Sequence, residues 1–320
     1  MSERQLIDQF VGLARGYKDP KTLLGPGDDA AVIDLAHGPE CISTDQFVEN
    51  QHFRHRWIGP EDLAGRCLAA TVSDLAAMGA TPRWITVALT LSKAQDRDWL
   101  MAFAQRFGQI VGLWNIDLIG GDLTRGDHTS VCLTIGGTAQ KGRLLLRQGA
   151  RPDDGIWVSG NLGGSSAAVD YLERGGRNRG LVADFYAVRH RVLLGLALNR
   201  SGVATSCCDI SDGLLTDLTS LLHDKCRGAL LDMKRLPVSP LAKRVATELA
   251  CSTRPWVLDG GEDFELLFTV PPHREEAMGD LSEALAVPLT RIGTMAETPG
   301  IVNTEGGLLE PAGWDPFRGS

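Results

Sequence analysis

Apolar positions along the chain follow a helical period in some segments and a strand-like run in others, with glycine-rich joints between them. In residues 2–16, Leu6, Phe10 and Leu13 have the spacing of one helix face. Residues 84–91 form a short apolar run bounded by turn residues, which indicates a strand. The pattern predicts helices at 2–16, 60–79, 96–113, 165–174, 182–200, 211–224 and 239–250, and strands at 31–34, 41–47, 84–91, 116–119, 131–137, 156–159, 203–208, 229–233 and 263–270.

Both halves of the chain contain this mixture, so we expect an α+β fold in each. The 320 residues exceed one ordinary domain of roughly 100–150 residues. Five of the eight residues in 148–155 are glycine, proline or aspartate, which are typical of turns. We therefore predict a first domain over 1–148 and a second over 149–320.

Composition excludes several classes of protein. Apolar residues make up 43% of the chain and charged residues 22%, as in globular proteins, and no run approaches the ~18 apolar residues of a membrane helix. The net charge of −8 argues against a nucleic-acid binder. Residues 1–5 do not resemble a signal peptide, and the seven cysteines contain no Cys-x-x-Cys pair. We expect a cytoplasmic protein with buried thiols and no membrane association.

Acidic residues recur where apolar runs end abruptly. One such residue means little, because aspartate and glycine are common in turns. Five such segments in one chain suggest a shared purpose. They are Gly25–Ala30 with Asp28 and Asp29, Ile42–Asp45, Leu118–Asp122, Cys208–Gly213 with Asp209 and Asp212, and Leu258–Asp263.

Asp74 is the only charged residue between Cys67 and Pro82. Its spacing places it on one helical face with Leu63, Cys67 and Ala70. A helix that emerges into solvent near its end would explain this. We favour a functional role, because a carboxylate on an apolar face is costly to bury without a partner or a metal ion.

Carboxylates that converge need cations. Two unit charges ~5 Å apart repel by about 3 kcal/mol at an effective dielectric of ~20. Hard oxygen ligands select Mg²⁺ or Ca²⁺, and Mg²⁺ commonly shares its ligands with substrate phosphates. The acidic segments therefore suggest a Mg²⁺-nucleotide site.

Other phosphate-binding motifs are absent or weak. The sequence has no Gly-Lys dipeptide and hence no P-loop. Gly25–Ala30 fits a loose dinucleotide fingerprint, but two carboxylates would repel a pyrophosphate, and Lys21–Leu24 is a poor strand. Gly160–Ser166 is either a phosphate-binding helix start or an ordinary Ser-capped one. Arg125, Arg143 and Arg147 are possible phosphate partners by charge alone.

Taken together, the motifs resemble those of thiamine-monophosphate kinases, in the superfamily that includes aminoimidazole ribonucleotide synthetase. The resemblance runs in order through nearly the whole chain. It covers Gly25–Asp29, Ile42–Asp45, His52–Phe53, Ser73–Gly79, Gly120–Gly126, Asp209–Leu214 and Gly260–Leu266.

The resemblance implies a two-domain aminoimidazole ribonucleotide synthetase-like (PurM-like) fold and a homodimer paired through the N-terminal sheets. It implies phosphorylation of thiamine monophosphate by ATP, giving thiamine diphosphate, with several Mg²⁺ ions. In that family the first domain binds ATP and Mg²⁺, and the second contributes to the substrate and metal site.

The resemblance also implies a role for particular residues. The implied Mg²⁺ ligands are Asp29, Ser43, Thr44, Asp45, Asp74, Asp122, Asp209 and Asp212. The implied ATP contacts are Gly121, Asp122, Arg147 and Ser211, and the implied thiamine-phosphate contacts are His52, Glu262 and Phe317. Leu123 and Asn50–Gln51 depart from the usual family residues beside these positions.

Transfer to a phosphate needs no general base, because phosphate monoesters lose their second proton near pH ~6. We expect direct in-line transfer without a phosphoenzyme and without a catalytic side chain. Two rivals remain: another ATP-using member of the superfamily, such as a purine-pathway synthetase, and a non-catalytic protein that binds Mg²⁺ and nucleotide.

Overall fold

The computed structural model describes residues 9–13, 18–24, 32–33, 39–139, 144–187, 189–223 and 226–313. The chain divides into two compact units, each built from more than one segment. Unit 1 comprises Met1–Leu75, Ala80–Lys141 and Tyr186–Arg189, and unit 2 comprises Ala76–Gly79, Gly142–Phe185 and His190–Ser320. In each unit helices pack with a mainly antiparallel sheet, so the predicted α+β class is confirmed. Within the described ranges we find no helical segment with enough apolar residues to span a bilayer.

A four-stranded sheet organises the described part of unit 1. Its strands are β3 (Glu40–Val48), β4 (Thr81–Ser92), β5 (Asp117–Gly126) and β6 (Ser130–Thr138), in the order β3-β6-β4-β5. Only the β4–β5 pair is parallel. Two short strands, β1 (Thr22–Leu24) and β2 (Val32–Ile33), pair antiparallel beside it.

Two long helices supply the rest of the unit 1 core. They are α1 (Pro60–Ala77) and α2 (Arg97–Leu113), and residues 9–13 are also helical. Asp96 begins α2 by accepting a 2.9 Å hydrogen bond from the Trp99 amide, as expected of an N-cap. Residues at helical spacing on α2, including Leu100, Phe103 and Phe107, are fully buried.

Seven described strands of unit 2 form one sheet in the order β13-β12-β9-β11-β7-β10-β8. The strands are β7 (Gly155–Ser159), β8 (Ser206–Asp209), β9 (Gly228–Leu231), β10 (Leu266–Val270), β11 (Leu289–Ala296), β12 (Gly300–Asn303) and β13 (Leu308–Leu309). The β10 side chains are buried along the whole strand, and the central β7–β10–β8 ladder is antiparallel.

Helices of unit 2 connect these strands. They are α3 (Gly164–Glu173), α4 (Val192–Ser201), α5 (Leu214–Thr219), α6 (Pro240–Leu249), α7 (Arg254–Asp259) and α8 (Ala277–Leu285), with short 3₁₀ turns at 183–186, 233–235 and 272–274. Ser239 caps α6 by accepting a hydrogen bond from the Leu241 amide, and Pro240 is its first residue.

Most of the predicted elements are present among the described residues, although the helix predicted over 2–16 is described only at 9–13. The prediction omitted the helices α7 and α8 and the strands β11, β12 and β13. Three further segments differ from it. The segment judged a poor strand contains β1, because Thr22–Leu24 pairs with β2. The helix predicted over 182–200 is a 3₁₀ turn followed by α4, since Arg191 has non-helical φ and ψ of −113° and 22°. The helix predicted over 211–224 is only the six-residue α5.

Candidate active site

Ser43, Asp45 and Asp74 form a small oxygen-rich cluster in unit 1. Successive β3 side chains point to opposite faces of the sheet, so Ser43 and Asp45 lie on one face and Thr44 on the other. Near the C-terminal end of α1, Asp74 accepts a short hydrogen bond from the Ser43 hydroxyl. Asp45 and Asp74 interact electrostatically. The cluster therefore contains two carboxylates and a hydroxyl.

Proximity to Asp74 changes the acidity of Asp45. Burial and, after it, the charge of Asp74 raise the pKa of Asp45 to about 6, although the Thr71 hydroxyl opposes this. Two carboxylates in such surroundings cannot both be ionised without cost. This electrostatic cost is what a bound cation would remove.

Thr44 and Asp122 lie on the opposite, exposed face of the same sheet. The Thr44 hydroxyl is 2.9 Å from that of Thr134 on β6. Directly paired residues of a sheet lie on the same face, and the register pairs Asp122 with Ala88, Cys132 and Gln46 across the sheet. Asp122 therefore shares a face with Thr44, although strands β6 and β4 lie between β5 and β3. Strand alternation thus assigns the predicted unit 1 residues to two faces rather than to one cluster.

Two further predicted residues of unit 1 lie at strand positions or ends. Gly121 is on β5 opposite Val87. His52 follows β3 in a turn, and its Nδ1 accepts a 3.0 Å hydrogen bond from the Val48 amide. This bond assigns the proton to Nε2, so the neutral ring is a hydrogen-bond donor at Nε2.

In unit 2, the predicted residues Asp209, Ser211 and Asp212 follow one another where β8 ends. Asp209 is only 4% exposed and pairs with Leu266 of β10. The amides of Ser211 and Asp212 donate to a carboxylate oxygen of Asp217, at 2.9 and 3.0 Å. This carboxylate thereby determines where the loop turns.

Glu262 lies beside this loop in a left-handed conformation. Its φ is 62°, and Phe264 has a φ of 50°. The Glu262 amide donates to the Ser211 carbonyl at 2.8 Å, and its carbonyl accepts from the Ser165 hydroxyl at 2.7 Å. Non-glycine residues adopt such backbone only when their surroundings hold them, and these outliers concentrate at functional sites.

Arg147 acts electrostatically on this group. Burial raises the pKa of Asp212, and the positive charge of Arg147 opposes that rise. Arg147 is itself exposed. Unit 2 therefore brings together Arg147, Ser211, Asp212 and Glu262, with Asp209 at the end of the adjoining strand.

Asp29 and Phe317 lie outside the described residues, as do Asp28, Arg143 and Trp314. In the part of the chain that is described, no three His, Cys, Asp or Glu side chains are arranged to hold one metal ion. The roles predicted for individual residues therefore remain predictions.

The start of α3 answers an open question about phosphate binding. The Gly163 amide donates to a carboxylate oxygen of Asp263 at 2.7 Å, and the amides of Gly164 and Ser165 also interact with that carboxylate. Burial raises the pKa of Asp263 to about 8, while these amides oppose the rise. The Asp263 carboxylate thus lies where a phosphate would bind. This helix start is therefore neither a phosphate site nor a Ser-capped start, the two alternatives that the sequence left open.

Asp217 and Asp263 are the residues that sequence reasoning did not assign. Asp263 belongs to a recognised motif, but its spacing gives no sign that it contacts a helix start 100 residues earlier. Asp217 is four residues after Gly213, and only a loop that folds back onto α5 makes it a partner of 211–213.

Comparison with known proteins identifies the family. Residues 27–140 match the model for the AIR synthase related protein, N-terminal domain, and residues 151–304 match the model for its C-terminal domain. A protein of Escherichia coli strain K12 named thiamine-monophosphate kinase is 40% identical over 310 residues, which cover 92% of each chain. The chain belongs to the thiamine-monophosphate kinase family.

Solved structures of thiamine-monophosphate kinases share its fold. The crystal structure of the enzyme from Stenotrophomonas maltophilia K279a has a TM-score of 0.83 and 34% identity, over 97% of this chain and 98% of that one. A structure of AaThiL complexed with AMPPCP and TMP has a TM-score of 0.78 and 25% identity, over 98% and 97% of the two chains. The expected aminoimidazole ribonucleotide synthetase-like fold is thus confirmed.

Proposed function

We propose that this protein transfers the γ-phosphoryl group of ATP to the phosphate of thiamine monophosphate. A phosphate oxygen of the acceptor forms the new bond to the γ-phosphorus, the bond to the β–γ bridging oxygen breaks, and ADP leaves. The observation that carries this proposal is the 40% identity over nearly the full length to a thiamine-monophosphate kinase. The AaThiL complex with an ATP analogue and TMP supports the same pair of substrates.

The Ser43, Asp45 and Asp74 cluster fits a hard divalent cation. Carboxylate and hydroxyl oxygens are ligands that Mg²⁺ accepts, and burial and then the neighbouring charge of Asp74 raise the pKa of Asp45, as expected where a cation would be favourable. We assign Mg²⁺ binding to this cluster together with Asp29, Thr44, Asp122, Asp209 and Asp212. When bound, Mg²⁺ would neutralise phosphate charge and align donor and acceptor.

The remaining predicted residues are proposed to orient the two substrates. Gly121, Asp122, Arg147 and Ser211 would contact ATP, and His52, Glu262 and Phe317 would contact the thiamine phosphate. The Nε2–H of His52 is a suitable donor to a phosphate oxygen. The domain assignment follows: residues 1–148 bind ATP and Mg²⁺, and residues 149–320 contribute to the substrate and metal site.

We also propose that the protein is a cytoplasmic homodimer. All seven cysteines lie in the described part of the chain and none of them forms a disulfide, which suits a reducing compartment. The exposed face of the unit 1 sheet, with Ile42 at 61% exposure, would pair with a second copy.

One assay tests the activity. The purified protein is incubated with MgATP and thiamine monophosphate, and we expect thiamine diphosphate and ADP in equal amounts. Release of unchanged ATP would favour the non-catalytic nucleotide binder. Turnover of ATP only with a purine-pathway acceptor would favour the synthetase-like alternative.

Asp74→Asn tests the cation cluster. The change removes one charge while retaining the shape of the side chain, so kcat is expected to fall about 100-fold or more and the Mg²⁺ requirement to rise. Glu61→Gln, in the first turn of the same helix, is the matched control and keeps wild-type activity. Full activity of Asp74→Asn with unchanged Mg²⁺ dependence would remove Asp74 from the metal site.

A further inference from the structure

Asp217 receives three consecutive backbone hydrogen bonds on one oxygen. The amides of Ser211, Asp212 and Gly213 donate to its Oδ2 at 2.9, 3.0 and 3.1 Å. Asp217 is on α5 and only 7% exposed. Hydrogen bonds to an ionised acceptor are stronger than neutral ones, so one carboxylate determines the direction of all three peptide units.

The loop over 211–213 has few alternative ways to hold its shape. Gly213 has a φ of 120°, and a Cβ at this position would come within 2.8 Å of the Asp259 backbone. The amides at the start of a helix lack partners within the helix. Without the Asp217 carboxylate, these amides would need another acceptor in a half-buried position.

The same loop supports the Glu262 segment. The Ile210 and Ser211 carbonyls accept from the Phe264 and Glu262 amides at 2.9 and 2.8 Å. Glu262 and Phe264 both have positive φ, a conformation that the neighbouring structure must maintain. A shift of the 211–213 loop would therefore also displace the Glu262 backbone.

We propose that Asp217 is a positioning residue for the phosphoryl transfer, holding the Ser211–Gly213 loop and, through the Ser211 carbonyl, the Glu262 backbone in their working arrangement. This rests on the proposed function, in which Ser211 contacts ATP and Glu262 contacts the thiamine phosphate. Asp217 itself is assigned no contact with either substrate. Its removal is expected to weaken substrate binding rather than only lower the stability of the fold.

Asp217→Asn tests this role. The variant keeps the side-chain shape and removes the charge that orients the amides. We expect KM for ATP and KM for thiamine monophosphate each to rise about 10-fold or more, as for residues that orient a ligand-binding shell. Both constants and kcat are measured under saturating Mg²⁺.

Asp154→Asn is the matched control in unit 2. Asp154 is also buried and also holds a loop, because its Oδ2 accepts from the Arg151 amide at 2.9 Å and from the Thr205 hydroxyl at 2.6 Å. That loop has none of the proposed site residues. The control is expected to lower the melting temperature while leaving both KM values within about twofold of wild type.

Hydrogen exchange gives a second measurement that does not depend on activity. Amides 211–213 are expected to exchange faster in Asp217→Asn and at the wild-type rate in Asp154→Asn. If Asp217→Asn does not fold, Asp217→Glu carries the same predictions, because it retains the charge but displaces the oxygen by one methylene.

The outcomes separate the two proposals. A wild-type protein that makes no thiamine diphosphate overturns the proposed function and, with it, the positioning role of Asp217 in that reaction. An active wild type whose Asp217→Asn variant matches Asp154→Asn in both KM values overturns the positioning role alone. If amides 211–213 exchange hydrogen at the wild-type rate in Asp217→Asn, the structural basis of the proposal is contradicted.

Discussion

Individual buried carboxylates of this protein are balanced in different ways. Asp19 lies 2.8 Å from the guanidinium of Arg83, so a cation neutralises it. Burial and, after it, the charge of the neighbouring Asp74 carboxylate raise the pKa of Asp45 to about 6. The Asp19–Arg83 pair contains its own counter-charge, whereas Asp45 and Asp74 bring two carboxylates together, which is why we propose them as cation ligands.

Asp19→Asn tests the structural ion pair. Burial alone would raise the pKa of Asp19, but the hydrogen bond and charge of Arg83, with the Lys21 backbone, lower it below 3.8. Removing the carboxylate leaves Arg83 buried with less compensation, so the free energy of unfolding at pH 7 is expected to fall by about 3 kcal/mol. Urea unfolding measures this loss.

The pH dependence of that loss follows from the lowered pKa. The stability contributed by Asp19 is present above pH 3.8 and is lost as the pH falls through the folded-state pKa. The difference between wild type and Asp19→Asn therefore shrinks in acid. Asp127→Asn, in the exposed pair with Lys93, is the control and is expected to cost less than about 1 kcal/mol. A loss for Asp19→Asn that persists undiminished in strong acid would contradict this account.

At the scale of elements, strand alternation decides which predicted residues share a face. The consecutive residues Ser43, Thr44 and Asp45 read as one acidic and hydroxylic motif in the sequence. On β3 they divide between the α1 side and the exposed side of the sheet. The three side chains therefore cannot all bind one metal ion. If all three residues bind metal, either a backbone atom of one of them is a ligand or more than one ion is bound.

Adjacent glycines of β5 test how closely this sheet is packed. A Cβ at Gly121 would lie 2.2 Å from the Val87 carbonyl oxygen, whereas a Cβ at Gly120 would meet nothing closer than 3.8 Å. Gly121→Ala is therefore expected to lower stability by about 2–3 kcal/mol, because the obstructing atom belongs to the backbone. Thermal unfolding measures the effect.

Gly120→Ala is the matched control for that substitution. It adds the same methyl group one residue away, and its melting temperature is expected to stay near that of wild type. Equal melting temperatures for the two variants would show that β4 and β5 can separate at no cost.

On the scale of the whole molecule, thiol accessibility reports the packing of both units at once. Cys67, Cys207, Cys208 and Cys226 are buried, and burial raises the pKa of both Cys207 and Cys208. Cys251 is exposed. Because the thiolate is the reactive species, the buried thiols are expected to be inert in the native protein.

Labelling with a thiol reagent checks this expectation. Native protein is expected to react first at Cys251 and more slowly at the half-buried Cys41 and Cys132, with the four buried thiols reacting only after denaturation. Cys251→Ser removes the first phase. A fast phase that survives in Cys251→Ser would show that a half-buried or buried thiol is more accessible than the structure indicates.

The types of most elements, and the family, can be inferred from the sequence because both depend on local patterns. The period of a helix or strand is visible in a short stretch of sequence, and the order of the family motifs can be read directly along the chain. Two of the failures depend on contacts between segments that are distant in the sequence. Lys21–Leu24 becomes a strand only because β2 pairs with it, and 182–200 is interrupted where Arg191 pairs with Glu265.

The folded structure establishes the neighbours of the acidic side chains, which no local pattern predicts. It placed Asp74 against Ser43 and Asp45, gave Asp217 the amides of 211–213, and filled the α3 start with the Asp263 carboxylate. Each of these contacts depends on chain reversal or on strand pairing between distant segments. Burial and nearby charges determine the pKa of a carboxylate, and both arise only when those segments pack together.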